Sequence, residues 1–141
     1  MIIADTNVVS ELFKPIPEPR VIAWLENSSD VTITTVTVGE IWAGIENLPD
    51  GRRKTGLREL AEDLFDEFGT EIESFGFEAA RFYGQIVSTR RRLGRPIGYA
   101  DAQIAAICAV KGCPLATRNV KDFTDIGITV LNPWEGGRSR S

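Results

Sequence analysis

The sequence predicts a three-layer α/β/α domain built on a parallel sheet of about five strands. Three observations lead there. Short apolar or β-branched runs alternate with longer stretches of helical periodicity. Hairpin signals are missing between most of those runs, so successive strands need crossover connections and lie parallel. One helical stretch, Tyr99 to Lys111, is apolar on nearly every face, as a helix packed in the middle of layers must be. With 141 residues, 43% of them hydrophobic and 26% charged, the chain can build one core without disulfide or metal staples. We place the domain at residues 1–135 and read 136–141 as a flexible C-terminal tail.

The elements follow in order. Ile2-Ile3-Ala4 is a short apolar strand ending at Asp5, and Thr6 to Phe13 reads as a helix stopped by Pro15, Pro17 and Pro19. A second helix, near Arg20 to Asn27, carries Val21, Trp24 and Leu25 on one face. Val31 to Val36 is β-branched almost throughout and reads as a strand. From Thr37 the pattern turns helical as far as Leu48, then stops at Pro49-Asp50-Gly51. Leu57, Leu60, Ala61, Leu64, Phe65 and Phe68 mark one face of an amphipathic helix. Thr70 to Phe75 is expected as a third strand, less cleanly patterned than the first two. Ala79, Phe82, Tyr83, Ile86 and Val87 define another helix, ending in Arg90-Arg91-Arg92. Gly112 ends the buried helix, and Leu115-Ala116-Thr117 and Ile128-Thr129-Val130-Leu131 are the last strands.

What the sequence lacks narrows its chemistry. It contains no histidine, which excludes Ser-His-Asp and Cys-His catalysis and histidine-based zinc or iron sites. The net charge of −4 argues against a nonspecific DNA coat, yet leaves room for acids around a metal with local cations for phosphate. No apolar run approaches the roughly 20 residues of a membrane span, and the N-terminus lacks a basic signal-peptide region. Cys108 and Cys113 are spaced wrongly for a CxxC motif and read as two buried thiols, a weak pointer to a cytoplasmic setting.

In open parallel sheets ligands bind in the crevice outside the carboxyl ends of the strands. Asp5 follows the first strand; Asn119 and Asp122 follow the strand containing Thr117; Glu40 and Asp101 fall in first turns of helices. Several carboxylates meeting at one edge repel one another without cations, and an all-oxygen set suits Mg²⁺ or Mn²⁺. Such a cluster fits phosphodiester hydrolysis. Each residue also has a structural reading. Asp5 can cap the helix that follows, Glu40 can close a capping box with Thr37, Asp101 suits a helix start, and Asp122 suits a turn. A carboxylate at the mouth of an otherwise buried helix is costly unless used, which favours a functional Asp101.

These residues carry a resemblance. Ile2-Ile3-Ala4-Asp5-Thr6-Asn7-Val8-Val9-Ser10-Glu11, Thr35 to Ile41, Ile97 to Ala106 and Ala116 to Phe123 resemble, in order, the four motifs of PIN-domain toxins of the VapC/FitB-like group. The ending Leu131-Asn132-Pro133-Trp134 is also similar to the FitB-like branch. The likeness runs over about residues 1–135 and implies a PIN-like fold and a magnesium- or manganese-dependent endoribonuclease. It further implies a homodimer held silent by a cognate antitoxin, with DNA met only indirectly through that antitoxin. It carries catalytic and metal-binding roles to Asp5, Glu40 and Asp101. Many relatives have an acid where this chain has Asn119, so the fourth position falls to Asn119 or to Asp122. The alternative is a non-catalytic PIN-like binding module, which a neutral fourth position would suit. Haloacid-dehalogenase-like phosphatases also begin with a strand running into Asp-x-Asp, but Asn7 cannot replace the second acid.

Arg92, Arg95 and Arg118 are candidate RNA-positioning cations, while Arg90 to Arg92 also suit a solvated helix end. Arg52, Arg53 and Lys54 read as a solvated cluster. Trp24 and the stretch from Trp42 to Leu48 are either core or a groove for an amphipathic partner segment.

Overall fold

The structure, a computed structural model, describes residues 1–136 and the backbone of residues 138–140. Its strands are β1 (Ile2–Ala4), β2 (Val31–Thr32), β3 (Leu115–Ala116), β4 (Val130–Asn132) and β5 (Arg138–Arg140). The helices are α1 (Thr6–Ser10), α2 (Pro19–Asn27), α3 (Thr35–Glu46), α4 (Arg52–Phe68), α5 (Phe77–Arg92) and α6 (Tyr99–Lys111). The sheet order is β2-β1-β3-β4-β5, parallel except for β5, which runs antiparallel to β4.

Two cores flank this sheet because neighbouring residues of a strand point to opposite faces. Ile3, Leu115 and Val130 face one core with the buried helix α6 and the inner face of α5. Ala4, Ala116 and Leu131 face the other, with Val8 and Val9 of α1, Val21 of α2, Ile41 and Ile45 of α3 and Ala61 of α4. The expected three layers are therefore present. In α6, Ala102 and Ile104 through Cys108 are all at most 1% exposed, which is why its sequence lacks a polar stripe.

The expected strands differ from the observed ones at three places. The strand read over Val31–Val36 stops at Thr32, because Thr34 turns out to cap α3, its Oγ1 accepting from the Thr37 amide at 3.2 Å. The helix therefore starts two residues before Thr37. Residues 70–75 form no sheet strand. Gly69–Glu71 is a 3-10 turn, and a single parallel bridge joins Glu73 to Thr34. With only one bridge and no sustained alternation, the segment lacks a ladder to extend. The fifth strand is instead the antiparallel β5, within the stretch read as a flexible tail; Gly137 and Ser141 of that stretch lie outside the described residues.

Two basic residues expected in solvent are buried. Lys54 is 7% exposed, and its Nζ donates to the Glu46 carbonyl at 2.9 Å, closing the α3–α4 connection; Arg52 and Arg53 are exposed as expected. Arg90 is 4% exposed, donating to the Thr124 carbonyl and hydroxyl at 3.1 and 3.0 Å, while Arg91 and Arg92 are exposed. Trp24 and Trp42 are half-buried against the second core, Trp42 edge-on to Phe65 at 5.8 Å between ring centroids. No helix among the described residues is long and apolar enough to cross a membrane.

Candidate active site

Strand β1 delivers Asp5 to the carboxyl end of the sheet, and β3 delivers Thr117 beside it. Asp5 is only 4% exposed, and its carboxylate is held from three sides. The Thr6 amide donates to Oδ1 at 2.8 Å; Thr117 Oγ1 and Asn7 Nδ2 donate to Oδ2 at 2.8 and 3.4 Å. Asp5 is thus both the N-cap of α1 and a buried carboxylate facing the cleft, so capping the helix does not take it away from the cleft.

Glu40 reaches the same place from α3. Because Thr34 caps that helix, Glu40 closes no capping box with Thr37 and stands a full turn inside. Its Oε1 accepts from Thr6 Oγ1 at 2.6 Å, and that hydroxyl also contacts Thr37 Oγ1 at 2.9 Å. Asp101 enters from the first turn of α6. Asn7 ties the parts together: its Nδ2 donates to Thr117 Oγ1 at 3.2 Å, and its Oδ1 accepts from the Arg118 amide at 3.2 Å. Asn119 follows, its amide donating to Thr117 Oγ1 at 3.1 Å.

Asp5, Glu40, Asp101 and Asn119 line one open cleft of about 400 Å³, whose rim includes Lys14, Arg118 and Trp134. Asp122 does not line it. It sits in the 3-10 turn Val120–Phe123, near enough that its charge is felt by both Asp5 and Asp101. Arg118 lies at the rim with its guanidinium over the Trp134 ring, 5.2 Å from the centroid. Arg92 and Arg95 do not line the cleft; Arg92 is exposed and Arg95 pairs with Asp125 at 2.8 Å.

The electrostatics are those of a crowded acidic site. Burial pushes the Asp5 carboxyl above its usual range, against the hydrogen bonds from Thr117 and Thr6, and the charges of Glu40 and Asp122 push the same way. Burial raises Asp101 to about 6, reinforced by Asp5, Glu40 and Asp122. Glu11 behaves oppositely. Burial alone would raise it, but its bonds to Lys14 and to the Glu18 amide hold it below the usual range.

Sequence reasoning overlooked Thr6, Thr117, Asn7, Lys14 and Trp134 as parts of this site. The first three are short polar side chains with distant partners. Thr117 and Asn7 meet theirs, up to 112 residues away, once β1 and β3 pair, and Thr6 meets Thr37 and Glu40 once α3 packs beside α1. Lys14 sits in a proline-rich turn where a lysine carries no signal of its own.

The PIN-domain family profile matches residues 2–128. The chain belongs to the PIN-domain family. The VapC ribonuclease Y4jK of Sinorhizobium fredii is 33% identical over 138 residues, covering 96% of this chain and 99% of that one. Toxin FitB of Neisseria gonorrhoeae is 36% identical over 137 residues, covering 95% and 99%. The crystal structure of FitAcB from Neisseria gonorrhoeae superposes with a TM-score of 0.89 at 36% identity, covering 95% and 99%. PIN-domain ribonucleases generally use a divalent metal.

The donor set present here fits such a cation by chemistry. All the candidate ligands are hard oxygens lining one cleft, and Asp5 and Asp101 are raised by burial first and by their acidic neighbours second. Among the described residues no three acidic side chains stand together as a ready three-ligand cation site. Mg²⁺ does not require one, since it commonly keeps several waters and uses one or two carboxylates.

Proposed function

We infer that this PIN-domain chain is an endoribonuclease acting as the toxin of a toxin–antitoxin pair. The observation that carries the reading is the convergence of Asp5, Glu40 and Asp101, from three separate elements, on one cleft at the carboxyl end of the sheet. Kinship with a protein named VapC ribonuclease and with one named toxin FitB supports the reaction and the biological role.

In this reading Asp5, Glu40 and Asp101 hold Mg²⁺ or Mn²⁺, and Asn119 supplies a neutral fourth oxygen while Asp122 adds only charge. The bound cation supplies an activated water and neutralises charge on the scissile phosphate. The chain's own residues do the rest. Thr6 and Thr117 fix the oxygens of Glu40 and Asp5 so that the carboxylates point into the cleft without reorganising. Arg118, steadied on Trp134, and Lys14, whose ammonium is paired with Glu11 but half-exposed, take phosphates of a single-stranded or looped RNA. A small antitoxin covers the cleft, the toxin acts as a homodimer in the cytoplasm, and DNA is met only through the antitoxin.

The test is RNA cleavage by purified, antitoxin-free protein. Mg²⁺ or Mn²⁺ supports cleavage, excess EDTA abolishes it, and Asp5→Asn lowers the rate by about a hundredfold or more while circular dichroism stays unchanged. Undiminished cleavage in EDTA overturns the metal mechanism. Absence of cleavage under every metal condition, with the fold intact, favours the non-catalytic module that the neutral Asn119 would suit.

A further inference from the structure

Helix α6 ends in a cap that brings two thiols together. Gly112 takes the left-handed conformation, φ 62°, and its amide donates to the Ala109 carbonyl at 3.3 Å. The Cys113 amide donates to the Cys108 carbonyl at 3.2 Å. This paired set of bonds is the Schellman motif, in which the residue just beyond the glycine packs against the one five positions earlier. Usually that contact is between two apolar side chains. Here both are cysteines, neighbours across the cap, and each thiol shifts the titration of the other.

Both cysteines are free, and both face a cavity of about 550 Å³ walled by Ile86, Ile126 and Ile128. It lies at the opposite end of β3 from the acidic cleft: Cys113 precedes the strand and Thr117 follows it. The two thiols are unequal. Cys108 is wholly buried, whereas Cys113 is 7% exposed. The neighbouring Cys108 thiol holds the Cys113 thiol below the usual range, and Cys113, with burial, pushes Cys108 up.

We propose that Cys108 and Cys113 form a reactive dithiol, a modification site that closes to an intramolecular disulfide on meeting a small-molecule disulfide. Cys113 is the attacking thiol and Cys108 the resolving one. With oxidised glutathione, the Cys113 thiolate attacks one sulfur, the glutathione S–S bond breaks, and one glutathione leaves as thiolate. Cys108, deprotonated, then attacks the Cys113 sulfur and expels the second glutathione. Two protein thiols are oxidised to one disulfide, one small disulfide is reduced to two thiols, and the two cysteine protons end on the released glutathiones. Because the cap folds Cys113 back onto the turn that holds Cys108, and both line one cavity, closure calls for side-chain rotation more than backbone movement.

The experiment incubates the folded full-length protein with oxidised glutathione, blocks remaining thiols with iodoacetamide and measures intact and peptide masses. The wild type loses two hydrogens, takes up no label, yields a Cys108–Cys113 cross-linked peptide and returns to two labelled thiols after reduction. Cys108→Ala instead retains one glutathione, on Cys113. A wild type that keeps both thiols while folded, or that stops at a stable mixed disulfide, overturns the proposal. The wild-type measurement stands even where a variant fails to fold, and neither outcome depends on ribonuclease activity.

Discussion

Asp101 shows how a single side chain records the purpose of its surroundings. An aspartate in water titrates near 3.8, and this one is raised to about 6 because it is half-buried and faces Asp5 and Glu40. The folded state therefore binds its proton more tightly than the unfolded chain does. That contribution to stability is fully present below about pH 4 and is lost as pH rises through about 6. Asp101→Asn mimics the protonated form at every pH. In EDTA, the thermal midpoint of the variant should rise above that of the wild type progressively between pH 4.5 and 7, then level off. Subtracting the two curves removes the acids that behave oppositely, such as Glu11, Glu18 and Glu46, whose partners hold them below their usual range. A difference that stays constant across this window would show that Asp101 feels no such crowding.

At the scale of the element, α3 decides whether Glu40 reaches the site. Thr34, fully buried, caps the helix through the Thr37 amide, and Thr37 in turn touches Thr6, which donates to Glu40. The start of the helix and the position of its catalytic candidate are therefore one construction. Thr34→Ala should cost about 1 kcal/mol, as losses of threonine caps do, and should lower cleavage by loosening the Thr37–Thr6–Glu40 chain. Urea denaturation reads the first effect and the rate at saturating RNA the second. An unchanged denaturation midpoint would place the cap elsewhere. The same element explains why the sequence pattern misled. Val31 to Val36 is β-branched, but Thr34 can satisfy a helix amide with its own hydroxyl, and that local bond ends the strand early.

For the whole molecule, the proposed toxin role entails restraint by a partner. An active ribonuclease of this kind damages the cell that makes it. The expected cover is a small antitoxin, and beside the acidic cleft lies an apolar one of about 290 Å³, lined by Phe13, Ile41, Ile45, Leu48 and Leu57. Thr6, Ser10, Lys14 and Glu40 border both, so one ligand can span acid and apolar surface together. Expression of this chain alone should arrest growth, and co-expression with the product of a neighbouring short reading frame should relieve it. Harmless expression of the chain alone, with no inhibitory neighbour, counts against the toxin role and leaves the fold untouched.

The sequence by itself determined the layered fold and the acids. Alternating strand and helix periods and the apolar run of α6 pointed to a parallel α/β sheet, and the missing histidines left oxygen ligands as the expected chemistry, because these follow from local pattern and residue type alone. Asp5, Asp101 and Asn119 were legible for the same reason, lying after a strand or at a helix start, and Glu40 was legible although it stands a turn further inside α3 than the pattern suggested. Tertiary structure decided what holds those acids and what borders them. Thr117 meets Asp5, and Asn7 meets Arg118, across more than a hundred residues once β1 pairs with β3. The displaced fifth strand, the burial of Lys54 and Arg90, and the turning of Arg95 toward Asp125 were equally beyond local reading. Periodicity specifies which face of an element is apolar. It cannot specify which distant polar group that element will meet, since that choice is made only when the layers pack.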